Sequence, residues 1–358
     1  MRTTRRNFLT MTGLSALGLG LATGKTKGKD FVETATMPAI PQEYLHPTRK
    51  LPPGLHPGST VAITAPASPT SMYEIRNGRR YFQNLGCKVI VGDTIAAQKN
   101  EHRYLSAPDI VRAQEFMDFI SDRGVDAILC GRGGYGSMRI LQHLDFNKIA
   151  QNPKIILGFS DITALLNAVY RKTGIVTYHG PVASMDFESF TGNSLKSILF
   201  RDHFNPHNHI NHNKAIVINP GIAGGELVGG NLTILTSMLG TEFEIESSGK
   251  IIFLEDVSEH AYQIDRMITQ LLLAGKIQSA SAVIFGTFKN LKVRRPFYPN
   301  RGYTILEVIQ QLLKQTNVPT IVGFPFGHIS SKVTLPIGIR AELNTEKKSL
   351  KLIENTVS

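Results

Sequence analysis

The sequence predicts an α/β protein: an N-terminal domain with a mostly parallel sheet flanked by helices, then a second, smaller α/β domain ending in a β-hairpin. Three observations predict it. Short apolar runs of strand length alternate with stretches of helical spacing, the pattern of a parallel sheet covered on both faces. The 358 residues suffice for two domains, at about 100–200 residues for each. An Asn- and His-rich stretch at 186–214 interrupts the alternation and divides it in two.

Residues 1–30 read as an address rather than as fold. Thr4-Arg5-Arg6-Asn7-Phe8-Leu9 precedes a weakly apolar run at 11–22, which resembles a twin-arginine export signal and implies a periplasmic destination. No clean Ala-x-Ala site follows. Residues 31–57, rich in proline and polar residues, read as a tether.

The N-terminal domain spans 58–185. Gly58-Ser-Thr-Val-Ala-Ile-Thr-Ala-Pro66 is an apolar run ending in turn residues, hence a strand. A helix is expected near 72–85, a strand at 87–92, a helix at 107–121 and a strand at 126–130. After a Gly-rich turn come a helix at 137–144, a strand at 154–157, a helix at 161–170 and a strand at 175–177. The linker 186–214 leads into the second domain, 215–358. Its expected strands lie at 215–218, 251–255, 281–286 and 320–323, with helices at 261–274 and 303–315. A hairpin pairs 338–344 with 349–353.

Composition narrows the function. With 42% hydrophobic and 19% charged residues the chain is of ordinary globular type. No run in its body approaches the ~18 apolar residues of a lipid-spanning helix. Of the net charge of +11, residues 1–30 hold six cations against one acid, 6 − 1 = +5. The rest is spread thinly, without the aromatic and basic stripe of a nucleic-acid groove, so no nucleic-acid partner is expected. Cys87 and Cys130 fall in apolar runs and read as buried free thiols, since a twin-arginine substrate folds in a reducing compartment. His203, His207, His209 and His212 invite a metal, but they lack carboxylate or cysteine company. Neither a metal nor a cofactor is expected.

Several residues could do chemistry. In Cys130-Gly-Arg-Gly-Gly-Tyr-Gly-Ser137 a strand ends, glycines permit a tight turn and a serine opens a helix. That is the recipe for a nucleophile elbow, with the N–H groups of Gly134 and Met138 as oxyanion candidates. A phosphate cradle and a simple helix cap by Ser137 are the competing readings. Ser160 and Asp161 follow the next strand and suit helix capping. Glu255 and Asp256 end an apolar strand, where an unpaired buried charge is costly; Arg266 is a candidate ion-pair partner. His328 sits just past a strand in a Gly/Pro turn. Serine, acid and histidine at strand ends form a legible set of nucleophile, orienting acid and base. Arg132 suits bidentate capture of a terminal carboxylate. Ser160, Asp161, His179 and Asn231 complete the candidates for substrate binding.

The sequence resembles the LD-carboxypeptidase family, the muramoyltetrapeptide carboxypeptidases or peptidase family S66. The shared landmarks are Gly58-Ser-Thr-Val-Ala-Ile-Thr-Ala-Pro, Arg132-Gly-Gly-Tyr-Gly-Ser137, Gly158-Phe-Ser-Asp-Ile-Thr, His179-Gly-Pro, Gly229-Gly-Asn-Leu232, Phe253-Leu-Glu-Asp-Val257, Tyr262-Gln-Ile-Asp-Arg266 and Gly323-Phe-Pro-Phe-Gly-His328. The resemblance implies a Ser137–His328–Glu255 triad split across two domains. It also implies release of terminal D-Ala from peptidoglycan tetrapeptides or muropeptides, no metal and a homodimer. Two other functions stay in view: hydrolysis of acyl-sulfamoyl adenylates and related peptide-nucleotide antibiotics, and an inactive wall-binding module.

Overall fold

The computed structural model describes residues 47–97, 103–201, 209–288 and 302–358. The export signal, most of the tether, His203 and His207 lie outside the described residues. The described chain falls within one compact unit, His46–Ser358, built on two sheets.

The first half alternates as its apolar pattern requires: β1 (Thr60–Thr64), α1 (Arg76–Asn84), β2 (Lys88–Val91), α2 (Asp93–Ala96), α3 (Asp109–Ser121), β3 (Ala127–Cys130), α4 (Ser137–Ile140), α5 (Phe146–Gln151), β4 (Ile155–Gly158), α6 (Thr163–Thr173) and β5 (Thr177–His179). A 3-10 turn at Ser160–Ile162 leads into α6. β3 and β4 are buried at every position, as expected of strands covered on both faces.

The stretch expected to be a linker carries structure of its own, α7 (Ser189–Leu199) and β6 (His209–Asn211). Then follow β7 (Ile216–Asn219), β8 (Ile222–Asn231), α8 (Leu232–Ser237), β9 (Ile251–Glu255), α9 (Ala261–Leu273), α10 (Lys276–Ser279), β10 (Ala282–Thr287), α11 (Ile305–Leu313), β11 (Thr320–Gly327), β12 (Leu335–Ile337), β13 (Arg340–Asn344) and β14 (Ser349–Leu352).

The first sheet has the order β12-β5-β4-β3-β1-β2, and the second β6-β14-β13-β8-β9-β10-β11-β7. Strands β1 to β5 run parallel, as do β8 to β11. By strand count the second sheet is the larger, six against eight.

The division of the chain is less clean than the sequence suggests. β12, from the C-terminal part, pairs antiparallel with β5 and closes the edge of the first sheet. The C-terminus also returns to that half: Gly54 N–H donates to the Ser358 carbonyl at 3.0 Å, and Tyr178 Oη donates to the Thr356 carbonyl at 2.6 Å. From residue 47 the expected tether is likewise part of the fold. Lys50 bridges to Ile175, and Arg49 pairs with Glu354 at 2.7 Å.

β8 docks the two halves together. Its glycines hide it from a propensity reading, because glycine weakens a strand. Contact explains them. At Gly229 (φ +144°) a Cβ would lie 2.0 Å from the Phe253 carbonyl oxygen, and at Gly230 (φ +137°) 2.5 Å from Thr163 Oγ1. Bare backbone therefore reaches the start of α6, where Asn231 N–H donates to Thr163 Oγ1 at 3.0 Å. Asn167 Nδ2 donates back to the Gly229 carbonyl at 2.9 Å. This seam brings the end of β9 to the beginning of α6.

Cys87 and Cys130 are buried free thiols, as expected. No helix of the described residues is long and apolar enough to cross a membrane.

Candidate active site

Three chain segments meet at the seam. β9 ends on Glu255, which is fully buried, and His328 follows directly on β11. Gly327 (φ +103°) lets the turn pass close to Glu255, since a Cβ there would sit 2.9 Å from Glu255 Oε2. The imidazole and carboxylate meet at 2.6 Å, Nδ1 to Oε2. On its other side His328 Nε2 lies 3.1 Å from Ser160 Oγ. Ser160 and His328 are partly exposed while Glu255 is sealed, so the array opens to solvent at its serine end.

The serine facing His328 is thus Ser160, in place of the expected Ser137. Ser137 is fully buried, and its hydroxyl donates to the Asp161 main-chain carbonyl at 2.5 Å. It is not the cap of α4 either, since Gly136 holds the N-cap position. Ser160 has the elbow geometry that the Gly-rich turn only suggests. It follows β4 after Phe159 alone and takes φ +62°, a left-handed conformation that is strained for a side chain bearing Cβ. By contrast, six residues of turn, 131–136, separate β3 from Ser137. That difference is the signal the sequence offered: an elbow places its serine at the junction of strand and helix, not beyond a long turn.

The Gly-rich turn keeps a part beside the site. At Gly133 a Cβ would lie 2.9 Å from Ser160 Cβ and 3.2 Å from Ser160 Oγ, so glycine is required for this approach. Gly134 (φ +97°) packs on Ser68, whose Oγ accepts from Tyr135 N–H at 3.0 Å. The residue of this turn that meets Ser160 is thus Gly133, while Gly134 faces Ser68. Met138 was a candidate because it follows Ser137, and with Ser137 buried that reason is gone. In an elbow built on Ser160 the next N–H is that of Asp161.

The remaining candidates separate by burial. Arg132 is half exposed and pairs with Glu74 at 3.5 Å, open to a ligand at the rim of the turn. Asn231 is 5% exposed and braces the acids, its Nδ2 donating to Glu255 Oε1 at 3.4 Å and to Asp256 Oδ1 at 3.1 Å. Asp256 is held further by Thr233 and by its neighbour's N–H, while Arg266 is exposed on α9. The acids are therefore satisfied without that arginine. His179 is 2% exposed, packed among Phe159, Phe253 and Phe326 with neither ring nitrogen hydrogen-bonded, so it does not face an open cleft. Asp161 is buried, and its carboxylate accepts from the N–H groups of Gly136 (3.2 Å) and Ser137 (2.8 Å).

Electrostatics follow from this packing. Burial pushes the Glu255 carboxyl up, but the His328 ring bonded to it prevails and holds it below the ordinary value, so Glu255 is an anion. Burial raises Asp161 above the ordinary value, opposed by its N–H donors and by Arg112. The same desolvation lowers His179 to about 4, which keeps that ring neutral.

A strained serine at a strand-to-helix turn, a histidine on its hydroxyl and a buried anion behind the histidine define the class of α/β serine hydrolases. The family follows from comparison. Residues 61–180 match the LD-carboxypeptidase N-terminal domain and residues 224–343 its C-terminal domain. The chain belongs to the LD-carboxypeptidase family, peptidase family S66. It is 37% identical over 312 residues to a probable murein peptide carboxypeptidase of Bacillus subtilis, covering 86% of this chain and 95% of the relative. Its fold matches the crystal structure of muramoyltetrapeptide carboxypeptidase from Oxalobacter formigenes, with a TM-score of 0.71, 29% identity and coverage of 82% and 98%. It also matches the microcin C7 self-immunity protein MccF in complex with aspartyl sulfamoyl adenosine, with a TM-score of 0.78, 25% identity and coverage of 86% and 100%.

Proposed function

We propose that this enzyme releases the terminal D-Ala of peptidoglycan tetrapeptides by cleaving the LD bond through an acyl-enzyme, with Ser160 as nucleophile. One observation carries the assignment: Ser160 Oγ, His328 Nε2, His328 Nδ1 and Glu255 Oε2 form a continuous relay with steps of 3.1 and 2.6 Å. The names of its carboxypeptidase relatives support the substrate.

In this mechanism His328 Nε2 takes the Ser160 proton as Oγ attacks the carbonyl carbon of the residue before D-Ala. Glu255 holds Nδ1–H, fixes the tautomer and stabilises the imidazolium. The Asp161 N–H, next in the chain after Ser160, and the Gly-rich turn at Gly133, which packs on Ser160, would receive the oxyanion. The tetrahedral intermediate collapses, His328 gives its proton to the departing D-Ala amine, and an ester to Ser160 remains. Water, deprotonated by His328, attacks that ester, and Ser160 leaves with the proton. Arg132 is suited to the terminal carboxylate.

The twin-arginine-like residues 1–30 support export to the periplasm, where nascent or attached peptidoglycan is the available substrate. A homodimer is the expected assembly. The likeness to MccF supports a second reading, hydrolysis of peptide-nucleotide conjugates. The chain has no Trp to stack on a nucleobase, which favours the first.

The test is mass spectrometry of a disaccharide-tetrapeptide incubated with wild-type protein, Ser160→Ala and Ser137→Ala. Loss of one D-Ala with wild type and Ser137→Ala, but not with Ser160→Ala, is expected. Loss with Ser160→Ala refutes the nucleophile. No loss with wild type, but cleavage of an aspartyl sulfamoyl adenosine, moves the enzyme to the second reading.

A further inference from the structure

Ser137 is fully buried, yet a serine there does more than fill space. Its hydroxyl donates to the main-chain carbonyl of Asp161 at 2.5 Å. Its own N–H donates to Asp161 Oδ2 at 2.8 Å, and the Gly136 N–H donates to Oδ1 at 3.2 Å. One residue is therefore gripped at both its main chain and its side chain by two consecutive residues of the Gly-rich turn. Below them Arg112, itself fully buried, donates to the Gly136 carbonyl at 2.9 Å and to the Ala107 carbonyl at 3.0 Å. It also bonds the Pro66 carbonyl and Asp109. The grip is thus anchored to the loop after β1 and to the start of α3.

What is gripped matters because of its neighbour. Ser160 precedes Asp161 and takes φ +62°, a strained conformation that persists only where the surroundings over-determine it. The Asp161 peptide is the next link of chain, so fixing its carbonyl and carboxylate restrains the dihedrals available to Ser160. Gly133, in the same turn, packs directly against Ser160.

We infer that Ser137 and Asp161 form a clamp that holds Ser160 in its reactive conformation, making Ser137 a positioning residue of the reaction. The inference rests on Ser160 being the nucleophile. Removing the Ser137 hydroxyl frees the Asp161 carbonyl while both N–H bonds to the carboxylate remain. Ser160 then samples geometries away from His328, and displacement on the ångström scale costs about 100-fold in rate. Ser137 does not touch His328, so the pH at which activity rises is unaffected.

The experiment compares wild type, Ser137→Ala and Ser137→Cys, whose thiol is a weaker donor of similar size. Active sites are titrated with a fluorophosphonate probe, the labelled peptide is mapped, and kcat and KM are measured per titrated site across pH. For Ser137→Ala, kcat per site is expected to fall roughly 10- to 100-fold. KM and the pH profile should change little, and the label should stay on Ser160. Ser137→Cys should fall between Ser137→Ala and wild type. An unchanged kcat per titrated site in Ser137→Ala overturns the clamp, because a merely structural residue alters only how many sites are competent. A label on Ser137 in wild type overturns it too. If wild type labels at Ser160 but releases no D-Ala, the substrate assignment fails by itself. The clamp is then decided by the labelling rate constant, which should fall by the same factor.

Discussion

His179 makes the stability of this enzyme dependent on pH in a window that can be calculated. Its ring is buried among Phe159, Phe253 and Phe326 with no hydrogen bond to either nitrogen. Desolvation lowers it from the ordinary 6.5 to about 4; nearby Glu255 opposes the shift and Lys332 and His328 add to it. As pH falls below 6.5 the unfolded chain takes up a proton that the folded chain refuses. Stability contributed by the neutral ring is therefore present above that value and is lost towards about 4. The full span amounts to about 3 kcal/mol, at ~1.36 kcal/mol for each tenfold change in proton affinity. Between about pH 7 and pH 5, where ordinary carboxylates stay mostly ionised, the loss comes to about 2 kcal/mol. The perturbation is His179→Phe, which places a neutral ring among aromatic neighbours. Urea unfolding of both proteins at the two pH values gives each one's own difference, so any change in packing at neutral pH cancels. The variant should lose about 2 kcal/mol less than wild type on acidification. Equal losses in the two proteins would refute the reasoning and place the acid sensitivity elsewhere.

Two further predictions probe the relay and its approach. Glu255→Gln places an amide where one carboxylate faces both His328 Nδ1 and Asn231 Nδ2. Turnover measured on tetrapeptide should fall ~10³–10⁴-fold by loss of the productive tautomer, and a loss under tenfold would remove Glu255 from the role. Gly133→Ala puts a methyl group 2.9 Å from Ser160 Cβ. It should lower kcat by roughly tenfold or more while thermal unfolding moves little, whereas unchanged kinetics would show that the turn yields freely.

Much of this was legible in the chain itself. The alternation of buried strands such as Ala127–Cys130 and Ile155–Gly158 with amphipathic helices fixes the first sheet, because burial on both faces leaves only apolar residues in those strands. Glu255 and His328 stand out as a set, because an unpaired acid ending a core strand is costly and the histidine lies just past the end of another strand. The family was legible from its landmarks in order. β8 was not, because its glycines answer to Phe253 and Thr163 rather than to any local preference. β12 was not, because its partner β5 lies in the other half of the chain.

The serine shows where sequence stops. Two serines follow strands beside glycines, and both sit at the start of helical turns; locally, the long turn before Ser137 is what sets it apart from Ser160. The outcome depends on a meeting 168 residues apart, His328 Nε2 on Ser160 Oγ, while Asp161 draws the Ser137 hydroxyl into the core. Sequence by itself determined the strands and helices of the first half, the family and the chemical vocabulary of serine, histidine and glutamate. Only the tertiary structure decided which serine speaks to the histidine, since a hydrogen bond depends on where side chains stand in space, and packing of β8 on α6 sets that position.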